Sequence, residues 1–137
     1  MKKITLSIWA LLSFTAQADE LSTFNDVATA VSQGHPVNFV IHFKQCTSQK
    51  TLPAITASIA PNAVMIIGNS RITASDRHFT LDEPSARDIP VFDYSKFSID
   101  SQGKASIKIT MMNASNYEVL GSHSISCQLG EGFKVFG

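Results

Sequence analysis

Residues 91–112 read VFDYSKFSIDSQGKASIKITMM, and this segment decides the fold. Apolar and polar residues alternate over residues 91–99 and again over 104–112, which is typical of strands with one buried face. Asp100-Ser101-Gln102-Gly103 separates the two runs, and Gly103 can supply the positive φ of a tight loop. The segment therefore predicts a β-hairpin. Its inner face would carry Phe97, Ile99, Ile107, Ile109 and Met111.

A single helix is predicted upstream, over residues 19–34. Thr23 and Asp26 match an N-terminal capping box, and Gly34 followed by Pro36 would end the helix. One apolar stripe is formed at helical spacing by Phe24, Val27, Ala28 and Val31. We therefore expect an amphipathic helix that packs on the sheet.

The rest of the chain predicts further strands. Alternation over residues 37–43, 119–129 and 133–136 indicates strands, and short apolar runs at 63–67 and 71–74 indicate others. The segment 47–62 has no clear period, and we expect a long excursion there, with a helical turn at 55–59. The predicted fold class is α+β, with the N-terminal amphipathic helix packed on a curved antiparallel sheet of about six strands.

The N-terminus has the three parts of a secretory signal peptide. Lys2 and Lys3 precede an uncharged run over residues 4–14, and Ala16 and Ala18 form an A-x-A cleavage pattern. The apolar run is shorter than the about 20 residues that span a bilayer, so we expect no stable membrane anchor. Residues 1–18 are thus a predicted signal peptide and residues 19–137 a single domain, periplasmic or secreted.

Two cysteines, Cys46 and Cys127, lie in the predicted mature chain. Export would bring them into an oxidising compartment, where two thiols normally pair. We therefore expect a Cys46–Cys127 disulfide. The alternative, a nucleophilic or metal-binding cysteine, has less support because the sequence contains no C-x-x-C or Cys-His motif.

Charge and histidine spacing argue against several functions. The predicted mature chain carries nine basic and eleven acidic residues without a basic run, so we expect no nucleic-acid partner. No two of the four histidines are spaced as a short-range zinc-ligand pair, and we expect neither a metal nor a cofactor. Asp76-Arg77-His78 could form a binding edge, but a solvated turn at 75–77 is the simpler interpretation. We assign no catalytic residues.

The order of these features resembles that of the VirK-like family of small exported bacterial proteins. The matching parts are the helix ending at Gly34, the strand running from Val37 into Cys46, and the Asp76-x-His78-Phe79-Thr80 segment. The Asp100-x-x-Gly103 hairpin, Cys127 and the ending Gly-x-Gly-Phe-Lys-Val-Phe at 130–136 also match. The resemblance implies an association with virulence or host interaction, with no assigned activity and no catalytic residues to carry over.

Two functional classes follow from the sequence. The first is an exported, non-enzymatic binding or interaction protein whose partner is another protein. The second is a small secreted hydrolase or ligand carrier that uses a cleft. A deep pocket lined by His, Asp and Ser would favour the second class, whereas a filled interior and a flat exposed patch would favour the first.

Signal peptidase is expected to cleave after Ala18. N-terminal sequencing of the exported protein should begin at Asp19. An exported form that retains Met1 would contradict both the cleavage site and the predicted localisation.

Overall fold

The computed structural model describes residues 17–137. This part of the chain contains one α-helix, one turn of 3₁₀ helix (Phe43–Gln45) and nine strands. In chain order the elements are α1 (Phe24–Ser32), β1 (Asn38–His42), β2 (Thr47–Ser48), β3 (Thr56–Ile59), β4 (Ala63–Ile67), β5 (Arg71–Thr80), β6 (Val91–Asp100), β7 (Lys104–Asn113), β8 (Val119–Leu129) and β9 (Gly132–Phe136).

Helix α1 begins at the predicted capping box. The Asp26 N–H donates to Thr23 Oγ1 at 3.2 Å, and the Thr23 N–H donates to Asp26 Oδ2 at 3.1 Å. The helix is nine residues long rather than the sixteen predicted. Its start was predicted too early because the preceding residues are extended and bond to the C-terminal end of the chain, where the Leu21 N–H donates to the Val135 carbonyl.

The strands form one sheet in the order β3-β1-β9-β8-β7-β6-β5-β4, with the short strand β2 paired to β8. Strands β4 to β8 are a meander in which each strand is antiparallel to the next. Strand β1 lies between β3 and β9, and β9 runs parallel to β8. The predicted hairpin is confirmed: Phe97 pairs with Ile107, and Gly103 has φ +80°.

The predicted α+β class is wrong. The described chain is mostly sheet, curled into a half-barrel of eight to nine strands, and α1 is its one short helix. The prediction of the fold class failed mainly in the segment 47–62. A helical turn was expected at 55–59, whereas the structure has strand β3 there. Short strands leave little periodicity in the sequence, and β3 is formed by pairing with β1, more than ten residues away.

The curl follows from the connection between the two edge strands. β3 and β4 lie at opposite ends of the strand order, yet only Ala60, Pro61 and Asn62 separate them in the chain. Three residues reach about 15 Å at most, since consecutive Cα atoms are about 3.8 Å apart. The sheet must therefore bend until its edges approach each other. The Arg77 N–H donates to Asn62 Oδ1 at 2.7 Å and fastens the connection to β5.

The curled sheet encloses its core at one end. Phe39, Phe97 and Phe133 meet there, with ring centroids 4.9–6.1 Å apart, and each is at most 1% exposed. From the helix, Val27 adds a fully buried side chain. Rings at these distances add to the stability given by burial of their apolar area.

Cys46 and Cys127 are joined by a disulfide. The 3₁₀ turn ends the alternation of β1 before Cys46. Counting alternate residues from β1 therefore does not predict the direction in which the Cys46 side chain points. Cys127 lies in β8 and is 6% exposed. The bond therefore ties the turn before β2 to the buried face of β8, across 81 positions of sequence.

The described helix is too short and too polar to cross a membrane. The predicted signal peptide lies almost entirely outside the residues that the structure describes.

Reduction of the Cys46–Cys127 bond should lower thermal stability strongly. Closing a loop of this length removes unfolded-state entropy worth up to about 4.5 kcal/mol in the chain-entropy model. Cys46→Ala should lower the Tm by a similar amount, and reductant should have no further effect on that variant. Mass spectrometry of the unreduced protein should show no free thiol; two free thiols would contradict the bond.

Candidate functional site

The inner face of the sheet changes from apolar to polar along the strands. Side chains alternate between faces with a period of two, so each cross-strand row on the inner face takes one residue per strand. Two rows are almost wholly apolar: Ile72, Ile99, Ala105 and Cys127 form one, and Ala74, Phe97, Ile107 and Ile125 form the next. The following two rows bring in polar groups: Asp76, Ser95, Ile109 and His123, then His78, Asp93, Met111 and Gly121.

A cavity of about 400 Å³ lies over these polar rows. Its floor includes His78, Asp93, Ser95 and His123. Apolar side chains from several elements form the walls, among them Phe43, Leu52, Ile55, Ile59, Ile109 and Met111. The volume falls within the range of pockets that bind small molecules, and such pockets commonly combine apolar walls with a few polar groups.

Two loops border the cavity. Residues 50–53 contribute Lys50 and Leu52, and residues 82–85 contribute Asp82 and Glu83. The second loop is held by Ser85, whose hydroxyl lies 2.7 Å from Glu83 Oε1 and 3.3 Å from Met111 Sδ. The loop that carries Asp82 and Glu83 is therefore attached to β7 through Met111.

His78 lies between two carboxylates at the base of the cavity. Its Nδ1 is 2.9 Å from Asp76 Oδ2, and its Nε2 is 3.5 Å from Asp93 Oδ2. The Asp76 and Asp93 residues are each 8% exposed, whereas the His78 side chain is 45% exposed. Cross-strand pairing positions the group, because His78 of β5 lies directly opposite Asp93 of β6.

Asp93 is the least satisfied member of this group. Burial raises the pKa of Asp93, the nearby Glu83 charge raises it further, and His78 opposes both effects. Among the described residues, no group forms a hydrogen bond to its buried Oδ1. A buried acceptor without a partner is costly, and such groups are over-represented at functional sites.

The contacts of His78 do not place it as the base of an acyl-transfer site. A nucleophilic serine needs a base whose free ring nitrogen accepts the hydroxyl proton. Both ring nitrogens of His78 face carboxylates, so neither is directed at the Ser95 hydroxyl. The carboxylates also lie on opposite sides of the imidazole, and the described residues contain no group of three or more ligands that could hold a metal ion.

The predicted turn at 75–77 is wrong. β5 continues from Arg71 to Thr80, and Asp76 is buried on its inner face. The inner face of β5 takes every second residue, namely Ile72, Ala74, Asp76 and His78. The last two are polar, and in the sequence polar residues at these positions look like an exposed turn. The same alternation in residues 91–99 placed Asp93 and Ser95 on the face of Phe97, a signal that could have revealed the polar floor.

The remaining histidines divide between the cavity and the surface. His123 lines the cavity from β8, as its predicted inward position allows. On β1, His42 bonds to Thr56 of β3 through Nδ1 at 3.1 Å, and His35 is exposed after the helix. The structure therefore brings two of the four histidines into one site.

Comparison with known proteins identifies the family. The family model described as VirK protein matches residues 20–117. The chain belongs to the VirK family. A crystal structure of a VirK family protein from Legionella pneumophila is 58% identical, with a TM-score of 0.83, and the match covers 86% of this chain and 98% of that one. A search of curated proteins gives no match.

The family match includes the strands that carry the acidic group. Asp76, His78, Glu83 and Asp93 all lie within the matched residues, as does Cys46. Cys127 and β9 follow the matched segment. The predicted resemblance to VirK-like proteins is therefore confirmed.

The pKa of Asp93 should lie above 3.8, and Glu83→Gln should lower it by removing a neighbouring negative charge. His78→Asn should raise it instead. Because the folded-state pKa is the higher one, the contribution of Asp93 to the free energy of unfolding falls as pH rises from 3.8 through the raised pKa. Carboxyl ¹³C NMR titration measures the midpoints, and Glu118→Gln, outside the cavity lining, is the control. Equal midpoints in all variants would contradict the assigned causes.

Proposed function

We propose that this VirK family member is an exported, non-enzymatic binding protein that holds its ligand in the inner cavity. The proposal is carried by the cavity of about 400 Å³, which combines apolar walls with a polar floor in which Asp93 and Ser95 are buried. The disulfide supports export, because such bonds persist in oxidising compartments. Membership of the VirK family suggests a virulence-associated role for this binding.

By the criterion set from the sequence, the cavity favours the second functional class, and within it the ligand carrier. A filled interior would have favoured a surface interaction alone, whereas an open end lined by His, Asp and Ser favours ligand binding. The geometry of His78 gives no support to the hydrolase alternative, since its ring nitrogens face Asp76 and Asp93.

A protein partner stays a prediction. The outer face of the sheet exposes apolar side chains near the end that carries the cavity, including Phe79, Tyr117 and Val119, each more than half exposed. Clustered apolar residues on a surface are common at interaction sites. We propose that a protein partner contacts this face.

A cavity-filling substitution tests the binding site. Ala57 lines the cavity from β3, and Ala57→Phe should fill part of it. We expect the exported protein to bind the neutral fluorescent dye N-phenyl-1-naphthylamine saturably, and the variant to bind about tenfold more weakly, a change of about 1.4 kcal/mol. Dye titration followed by fluorescence measures both affinities.

The matched control is Ser58→Phe, on the same strand and facing outward. It should leave the dye affinity unchanged, and circular dichroism should show that both variants fold. Absence of saturable binding to the unmodified protein, or equal binding by Ala57→Phe, would contradict the proposed site.

A further inference from the structure

Resting on the function proposed above, we infer that the ligand of the cavity is a small amphipathic cation. Such a ligand carries an ammonium or guanidinium group on an apolar stem. Three observations point to this class: the charges of the side chains that line the cavity, the Asp93 oxygen without a hydrogen-bond donor, and the apolar walls.

The charges that line the cavity are mostly negative. Three carboxylates, those of Asp82, Glu83 and Asp93, face one permanently positive side chain, that of Lys50. A fourth carboxylate, Asp76, lies behind His78 and is 2.9 Å from its Nδ1. Among the permanently charged side chains of the lining, carboxylates therefore outnumber the single ammonium group of Lys50.

The acidic groups are not spread evenly over the lining. Asp93 lies on the floor in β6, and Glu83 lies on the bordering loop, close enough for its charge to disfavour ionisation of Asp93. Two like charges that face one enclosed space repel each other more strongly than they would in bulk water, because the dielectric constant is lower. A cation between them would remove this repulsion.

Asp93 also needs a hydrogen-bond donor. It is 8% exposed, it lines the cavity, and within the described chain its Oδ1 has no partner. An ammonium group carries three N–H donors and no acceptor, so it suits a carboxylate that lacks donors, and it would meet Asp93 on the side that lines the cavity. A ligand carboxylate, by contrast, would bring a second set of acceptors against the first.

The walls select an apolar stem. Leu52 and Ile55 line the cavity together with Ile109 and Met111, which lie beside the acidic group in the same rows of the sheet. A purely polar cation such as a free inorganic ion would leave these walls in contact with water. An alkyl or aryl stem would cover them while its charged end reaches Asp93.

Three probes of equal chain length separate charge from apolar burial: octylammonium, 1-octanol and octanoate. Isothermal titration calorimetry of the exported protein at pH 7 should show octylammonium binding at least about tenfold more tightly than either other probe. Asp93→Asn should bring the three affinities to within about threefold of one another, since the buried charge is lost. Glu83→Gln, at the exposed border, should reduce the preference without risk to the core.

Glu118→Gln, an acid-to-amide change at an exposed position away from the cavity, is the matched control and should retain the full preference. Circular dichroism establishes that each variant folds. Equal binding of the three probes, or a preference that survives both Asp93→Asn and Glu83→Gln, would overturn the ligand class and leave the proposed function standing. Saturable binding of the neutral dye without binding of any alkyl probe would do the same. Failure of the dye and of all three probes would overturn the proposed function as well.

Discussion

The structure depends on the three-residue connection between its two edge strands. Because Ala60, Pro61 and Asn62 must join β3 to β4 across the whole strand order, the sheet cannot lie flat. Its curl turns one face inward over most of its length, and the residues on that face border the packed core at one end and the cavity at the other. The hydrogen bond from the Arg77 N–H to Asn62 Oδ1 holds this connection against β5. Both the core and the cavity are consequences of this closure.

One end of the enclosed space is a packed apolar core, and the other end contains the cavity. At one end, Phe39, Phe97 and Phe133 fill the interior, and burial of this apolar area stabilises the fold. At the other end, β6 presents Asp93 and β5 presents His78, and the interior stays open. A buried carboxylate with an unpaired oxygen lowers stability, and this cost at Asp93 is one reason why we propose a binding site there.

The disulfide links these two ends. Cys46 follows the 3₁₀ turn that contains Phe43, a wall residue of the cavity. Its disulfide partner is Cys127 of β8, which belongs to one of the apolar rows. Gly132 lies against this junction: its N–H donates to Gln45 Oε1 at 3.0 Å, and a Cβ atom there would come within 3.0 Å of both Cys46 Sγ and the Gln45 carbonyl oxygen. A side chain at position 132 would therefore push the turn, and with it one wall of the cavity. The bond and the glycine together hold a surface turn in a defined position over the sheet.

The sequence by itself determined the local features: the Thr23–Asp26 cap, the hairpin around Gly103 and the resemblance to the VirK family. The cap and the hairpin each depend on residues close together in the chain, whose spacing reflects helix or strand geometry, and the resemblance depends on the order of such features along the chain. Tertiary structure alone decided that residues 56–59 form a strand and that Asp76 is buried. Short strands take their conformation from partners far away in sequence, and a polar residue that faces an enclosed cavity leaves the same pattern as one that faces water. The alternation over residues 91–99 does place Asp93 and Ser95 on the face of Phe97, but only the curl of the sheet encloses that face and makes an acidic site of it.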